Sequence, residues 1–142
     1  MAEKIVMLTC PLAETICTGA SCFNAFYKRT HSFRRYGKEE LEIGAFMKCS
    51  GCGHYPGEDK GLDEKIERII DMKPKVVHLG ICCCKDGKDK KICDEIKAIT
   101  DIFEKEGIKI IRGTHFSQLL HGIKPSCLYQ QPILCRRFIG KL

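Results

Sequence analysis

The 142-residue sequence has no apolar run approaching the roughly 18 residues that span a bilayer, and its N-terminal run, Ile5 to Leu8, is four residues long. That run is too short for the hydrophobic region of a secretory signal, so the sequence predicts a cytoplasmic protein with no membrane partner. Nucleotide-binding signatures are also missing: there is no GxGxxG and no P-loop lysine motif. A phosphatase-type loop would need arginine six residues after Cys10, and Ile16 stands there. A second Cys-x-x-Cys pair, which a zinc ribbon or rubredoxin knuckle uses to close its tetrahedron, is lacking. Neither internal repeats nor a linker divide the chain. One domain over 1–142 is therefore expected, with 120–142 as an irregular C-terminal extension. The formal charge of +6 comes from basic residues interleaved with acids, as in "DEKIER" and "KDGKDKKICDE". That pattern predicts solvated helix faces and makes nucleic acid an unlikely partner.

What the sequence does have is cysteine, eleven of them. An odd number cannot all pair as disulfides, and a chain with no secretory signal belongs in a reducing compartment. Clustered thiols in that setting argue for metal binding or thiol chemistry. The densest cluster is "LGICCCKDGKDKKIC", residues 79–93.

Hydrophobic periodicity predicts where these residues fall. Residues 4–9, 41–49, 75–82 and 108–112 read as strands. A helix capped by Ser21 carries Cys22, Phe23, Phe26 and Tyr27 on one side. A second, opened by Asp63 and Glu64, places Leu62, Ile66, Ile69 and Ile70 on one face and ends at Pro74. A third carries Ile92, Ile96, Ile99 and Phe103 and closes at Gly107. Residues 30–40 read as a connection, and Phe116, Leu119 and Leu120 suggest a short final helix. Four alternations of strand and helix predict a small flavodoxin-like α/β domain with three α/β/α layers. Its mainly parallel four-stranded sheet is expected in the order 2-1-3-4.

Parallel strands point one way, so the residues just after them share one edge, where open α/β sheets bind ligands. That edge receives Cys10, then Cys49 and Cys52, then Cys82 to Cys84, then Thr114 and His115. An extended chain at the triple cysteine would turn Cys82 and Cys84 to one side and Cys83 to the other. Cys82 is the expected site residue and Cys83 a buried small hydrophobe. In "CSGCG", residues 49–53, two thiolates two residues apart can chelate one ion, while the glycines let N–H groups turn toward sulfur. His54 lies beside it as a ligand or supporting donor. Cys22 and Cys93 sit at predicted helix N-termini, where thiol pKa values fall. His78, inside a strand, reads equally as a core histidine or a ligand.

The ordered set Cys10-x6-Cys17-x-Gly19, Cys49-Ser-Gly-Cys52, "VVHLGIC" to Cys82, Cys93 before a helix, and Thr114-His115 resembles the CGGC-domain family over roughly residues 3–116. The family's Cys-Gly-Gly-Cys is "CSGC" here, with Gly51 kept. The resemblance implies a metal-binding domain, zinc being suggested by its Cys and His content. It carries the metal site onto Cys10, Cys17, Cys49, Cys52, Cys82, Cys93, His78 and His115, and leaves Cys127 and Cys135 unassigned. Tetrahedral sulfur sites suit zinc and iron–sulfur alike. An iron–sulfur cluster is the favoured cofactor, because the thiols outnumber one zinc's needs and come from several strand ends; Zn2+ is the alternative. Such a site could carry electrons or act on a small ligand, with a redox or protein partner of undefined identity. Two other functions fit the same residues: a thiol-disulfide oxidoreductase using Cys49 and Cys52, and an adaptor domain whose zinc fixes its loops.

Overall fold

The structure, a computed structural model, describes residues 2–15, 17–83 and 92–115. Strand β1 (Glu3–Thr9) is followed by a 3-10 turn at Pro11–Thr15, helix α1 (Ala20–Lys28) and a second 3-10 turn at His31–Tyr36. Then come β2 (Leu41–Lys48), α2 (Lys60–Met72), β3 (Val76–Leu79), a 3-10 turn at Ile81–Cys83, α3 (Asp94–Lys105) and β4 (Lys109–Arg112). The strands form one sheet in the order β2-β1-β3-β4, parallel at every pairing, as the alternation of elements predicts.

The two faces of the sheet follow from the two-residue period of a strand. Val6, Leu8, Val77 and Leu79 point toward α2 and α3, where they meet Leu62, Ile66, Ile69, Ile96, Ile99 and Phe103. Ile5, Met7 and Val76 point the other way, onto Cys22, Ala25 and Phe26 of α1 and onto Phe33. Ile5, Val6, Met7 and Leu8 are all fully buried, and each contributes roughly 1.5–3 kcal/mol by leaving water. That doubly covered run suits β1 to an interior position, flanked by β2 and β3. The connection at 30–40 is more than a linker, since its 3-10 turn delivers Phe33 to this core.

Several boundaries differ from the sequence reading. Gly19, in the left-handed region at φ 83°, caps α1 in place of Ser21, and Tyr27 is 70% exposed instead of joining the buried stripe. Helix α2 starts before Asp63: Asp59 is its N-cap, and Oδ1 accepts the Leu62 N–H at 2.9 Å. The other carboxylate oxygen lies 2.6 Å from His54 Nδ1, so His54 is engaged with the cap. Asp59→Ala is expected to lower stability through loss of the cap, read as a downward shift in urea midpoint at unchanged slope. Strand β3 ends at Leu79 and the chain then curls, so residues 81–83 are not extended. The expected helix near 116–120, the extension 120–142 and Cys84, Cys127 and Cys135 lie outside the described residues. Among the described residues, no helix is long and apolar enough to cross a membrane.

Candidate metal centre

All four strands end at one edge, and the N-terminus of α3 returns to it. Cys10 follows β1 directly. Cys49 follows β2 and prolongs the sheet, its N–H donating to Thr9 O at 3.3 Å. Lys65 of α2 holds the same strand end, Nζ donating to Lys48 O at 2.9 Å and to Cys49 O at 3.3 Å. Cys93 is the N-cap of α3. Between these segments lies a narrow cleft lined by Cys10, Cys49, Cys52 and Cys93, with Gly51 and Glu95 at its side. The cleft admits about one water-sized guest.

The loop "CSGCG" turns through Gly51 at φ 109° and Gly53 at φ 90°, a left-handed region that side chains with a Cβ enter at a cost. Cys52 sits between them, exposed, while Cys10, Cys49 and Cys93 are buried. The turn brings the Gly51 N–H to 3.4 Å from Cys49 Sγ, as expected for glycines that aim amides at sulfur.

Electrostatics at the cleft favour a cation. Burial pushes the Cys10 thiol up to about 12, and the neighbouring charge of Cys82 adds to it, partly offset by the Leu12 N–H. Burial likewise raises Cys49, against the Gly51 N–H and with Cys52, Cys93 and Glu95 reinforcing the rise. Thiols that repel one another as anions keep their protons until a positive ion arrives; the ion then releases them. Four thiols with a carboxylate beside them are the donor chemistry of a thiophilic divalent ion. Among the described residues, no three Cys, His, Asp or Glu side chains already stand at metal-binding separations. The four sulfurs line one cleft without converging on a point.

Cys82 borders this group without lining the cleft. Half-buried in its 3-10 turn, it accepts the Cys10 N–H at 3.2 Å. The neighbouring Cys83 thiol and the Cys10 N–H together hold it below the ordinary thiol range, against the effect of burial. A Cβ on Gly80 would meet Thr9 Cγ2 at 3.2 Å and Cys82 Sγ at 3.3 Å. Gly80→Ala is therefore expected to displace the Cys82 sulfur and cost about 1 kcal/mol; urea unfolding and the alkylation rate of Cys82 measure the two effects. Cys83 is a core residue as expected, buried and donating its S–H to Leu8 O at 3.3 Å.

Cys17, His78 and His115 lie elsewhere. The sulfur of Cys17, at the approach to α1, accepts the Gly19 N–H at 3.3 Å. His115 stands on the α1 face of the sheet, its Nδ1 3.6 Å from Cys22 Sγ, which also lies 3.1 Å from Thr114 Oγ1. Burial takes His115 down to about 4. It pushes Cys22 up to about 11, the reverse of the helix-end expectation, because desolvation outweighs the helix terminus. His78 is fully buried on that face, its ring 4.4 Å from that of Phe33. Its Nδ1 is 2.7 Å from Gly113 O and its Nε2 2.7 Å from Tyr36 Oη. A carbonyl can only accept, so Nδ1 carries the hydrogen and Nε2 accepts from the tyrosine. Both nitrogens are engaged within the core. Glu95 and Lys65 were invisible to a reading keyed on Cys and His, because nothing in their local sequence separates them from other helix-surface charges.

A cleft walled by cysteines from three segments, at the ligand-binding edge of a parallel α/β sheet, defines a cysteine-rich α/β domain of metal-binding chemistry. The chain belongs to the CGGC-domain family, whose domain matches residues 4–115. That family is cysteine-rich, and metal binding is the property ascribed to it. No curated protein and no solved structure matches the chain significantly.

Proposed function

We propose that the protein binds one thiophilic metal ion in the cleft, held by Cys10, Cys49, Cys52 and Cys93, with zinc the best-fitting ion. The gathering of these four thiols from the ends of β1 and β2 and the start of α3 carries the reading. Sequence reasoning favours an iron–sulfur cluster on the number of thiols. The four lining thiols are the number that closes one tetrahedral ion without a further donor, which supports a single zinc ion. Cys17, Cys82, His78 and His115 stand outside the first set of donors in this reading.

When bound, the ion supplies either a fixed tetrahedral crosslink or, with one position open, Lewis acidity. The chain's own part is to hold Cys49 through Thr9 O and the Gly51 N–H, and to present Cys93 from the first turn of α3. A dithiol redox role for Cys49 and Cys52 is less well supported. Redox pairs expose a nucleophile of lowered pKa, whereas Cys49 is buried and raised. The test is anaerobic purification followed by metal and acid-labile sulfide analysis with a visible spectrum. One zinc per chain and no colour is expected. Iron with equimolar sulfide would replace the ion by a cluster, and metal-free protein would overturn the proposal.

A further inference from the structure

The two halves of the cleft come from segments with no covalent reason to stay together. Cys49 and Cys52 belong to the loop after β2, Cys93 to the start of α3. Among the described residues, a side chain of α3 links them. Glu95, two residues after Cys93 and in the first turn of α3, accepts the Gly53 N–H through Oε2 at 2.7 Å. Gly53 directly follows Cys52, and its left-handed φ of 90° turns the amide outward from the loop. Cys93 and Glu95 share a helical turn, so this bond sets the separation between the Cys52 and Cys93 sides of the cleft. The loop's other backbone bonds, Cys49 N–H to Thr9 O and His54 N–H to Gly51 O, hold it to β1 and to itself and none of them reaches α3.

The charge of Glu95 points the same way. Its carboxylate lines the cleft together with the four thiols. The same carboxylate attracts a cation that enters. A neutral hydrogen-bond acceptor would anchor Gly53 without that effect.

We propose that Glu95 is a positioning residue for the metal centre, clamping the Cys49–Cys52 loop onto α3 and adding negative charge beside the bound cation. This rests on the metal-binding reading above, and two measurements separate the two. The probes are zinc affinity by chelator competition and hydrogen exchange of the Gly53 amide in metal-free protein, for wild type, Glu95→Gln and Glu95→Ala. Removing an outer-shell partner of this kind weakens metal binding by about 10–100-fold. Glu95→Ala is expected to lose that much zinc affinity with one ion per chain retained, and its Gly53 amide to exchange faster. Glu95→Gln, which keeps an acceptor and drops the charge, should restore slow exchange and part of the affinity. Wild-type zinc affinity in Glu95→Ala would overturn the proposal, as would an unchanged Gly53 exchange rate. Should wild-type protein bind no zinc, the metal-binding reading fails, and Gly53 exchange still decides the clamp: faster exchange in Glu95→Ala supports it and an unchanged rate overturns it.

Discussion

Replacing Cys49 and Cys52 together by serine is expected to abolish metal binding, whereas Cys83→Ser is expected to leave it in place. The double variant removes two of the four thiols that line the cleft. Structural zinc sites bind with apparent free energies of about 10–16 kcal/mol, and serine is a far poorer zinc ligand than thiolate. Halving the sulfur donors therefore weakens binding by many orders of magnitude. The fold should survive at some cost in stability: Cys49 belongs to the buried cluster on the α2 and α3 side, but the fully buried side chains of β1 and β3 that pack on the three helices are untouched. Cys83 is the control. Its S–H already donates to Leu8 O, a bond that a serine hydroxyl can repeat. Elemental analysis of the three proteins, with circular dichroism to show that each is folded, makes the measurement.

Stability is expected to fall by about 3 kcal/mol between pH 6.5 and 4 on account of His78. Burial holds this imidazole down to about 4, with the Gly113 carbonyl opposing and Arg35 reinforcing the shift. In the unfolded chain its pKa returns to about 6.5. Between those values the unfolded state takes up a proton that the native state refuses. The contribution is thus complete above pH 6.5 and lost progressively as pH falls toward 4. The Tyr36 hydroxyl, pushed up to about 12 by burial, stays protonated throughout and keeps donating to Nε2. His115, shifted down to about 4 as well, adds its own loss in this window. Asp59, lowered by the Leu62 N–H and by His54, acts below it. Urea unfolding from pH 7.5 to 4 should show the decline in wild type, and His78→Gln should make it shallower by the His78 share. An identical decline in the variant would mean that His78 does not carry it.

The sheet was legible because its signal is local and redundant. Ile5 to Leu8 forms a buried run that Pro11 ends, the stripes of α2 and α3 recur at helical spacing, and short connections leave little choice of strand order. The shared edge follows from strand direction, which is why Cys10, Cys49 and Cys52 could be assigned to one place before any coordinates. The rest depends on contacts distant in sequence. The curl at 81–83 arises where Gly80, hydrogen-bonded to Leu8 O, packs against Thr9, so reading those residues as extended strand misplaced the chain direction at Cys82. Nothing near Cys22 in sequence announces Thr114 and His115, and burial there reverses the effect of the helix end. His78 was ambiguous until Tyr36 and Gly113 filled both sides of its ring. Glu95 carries no motif at all; the Gly53 amide that it holds gives it a role.

X-ray absorption at the metal edge is the most direct test of the central claim that thiols from separate strand ends share one ion. Zinc-loaded protein is expected to show a first shell dominated by sulfur at about 2.3 Å, and the Cys49→Ser, Cys52→Ser variant to lose it. A shell of nitrogen and oxygen alone, or a sulfur shell unchanged in that variant, would contradict it.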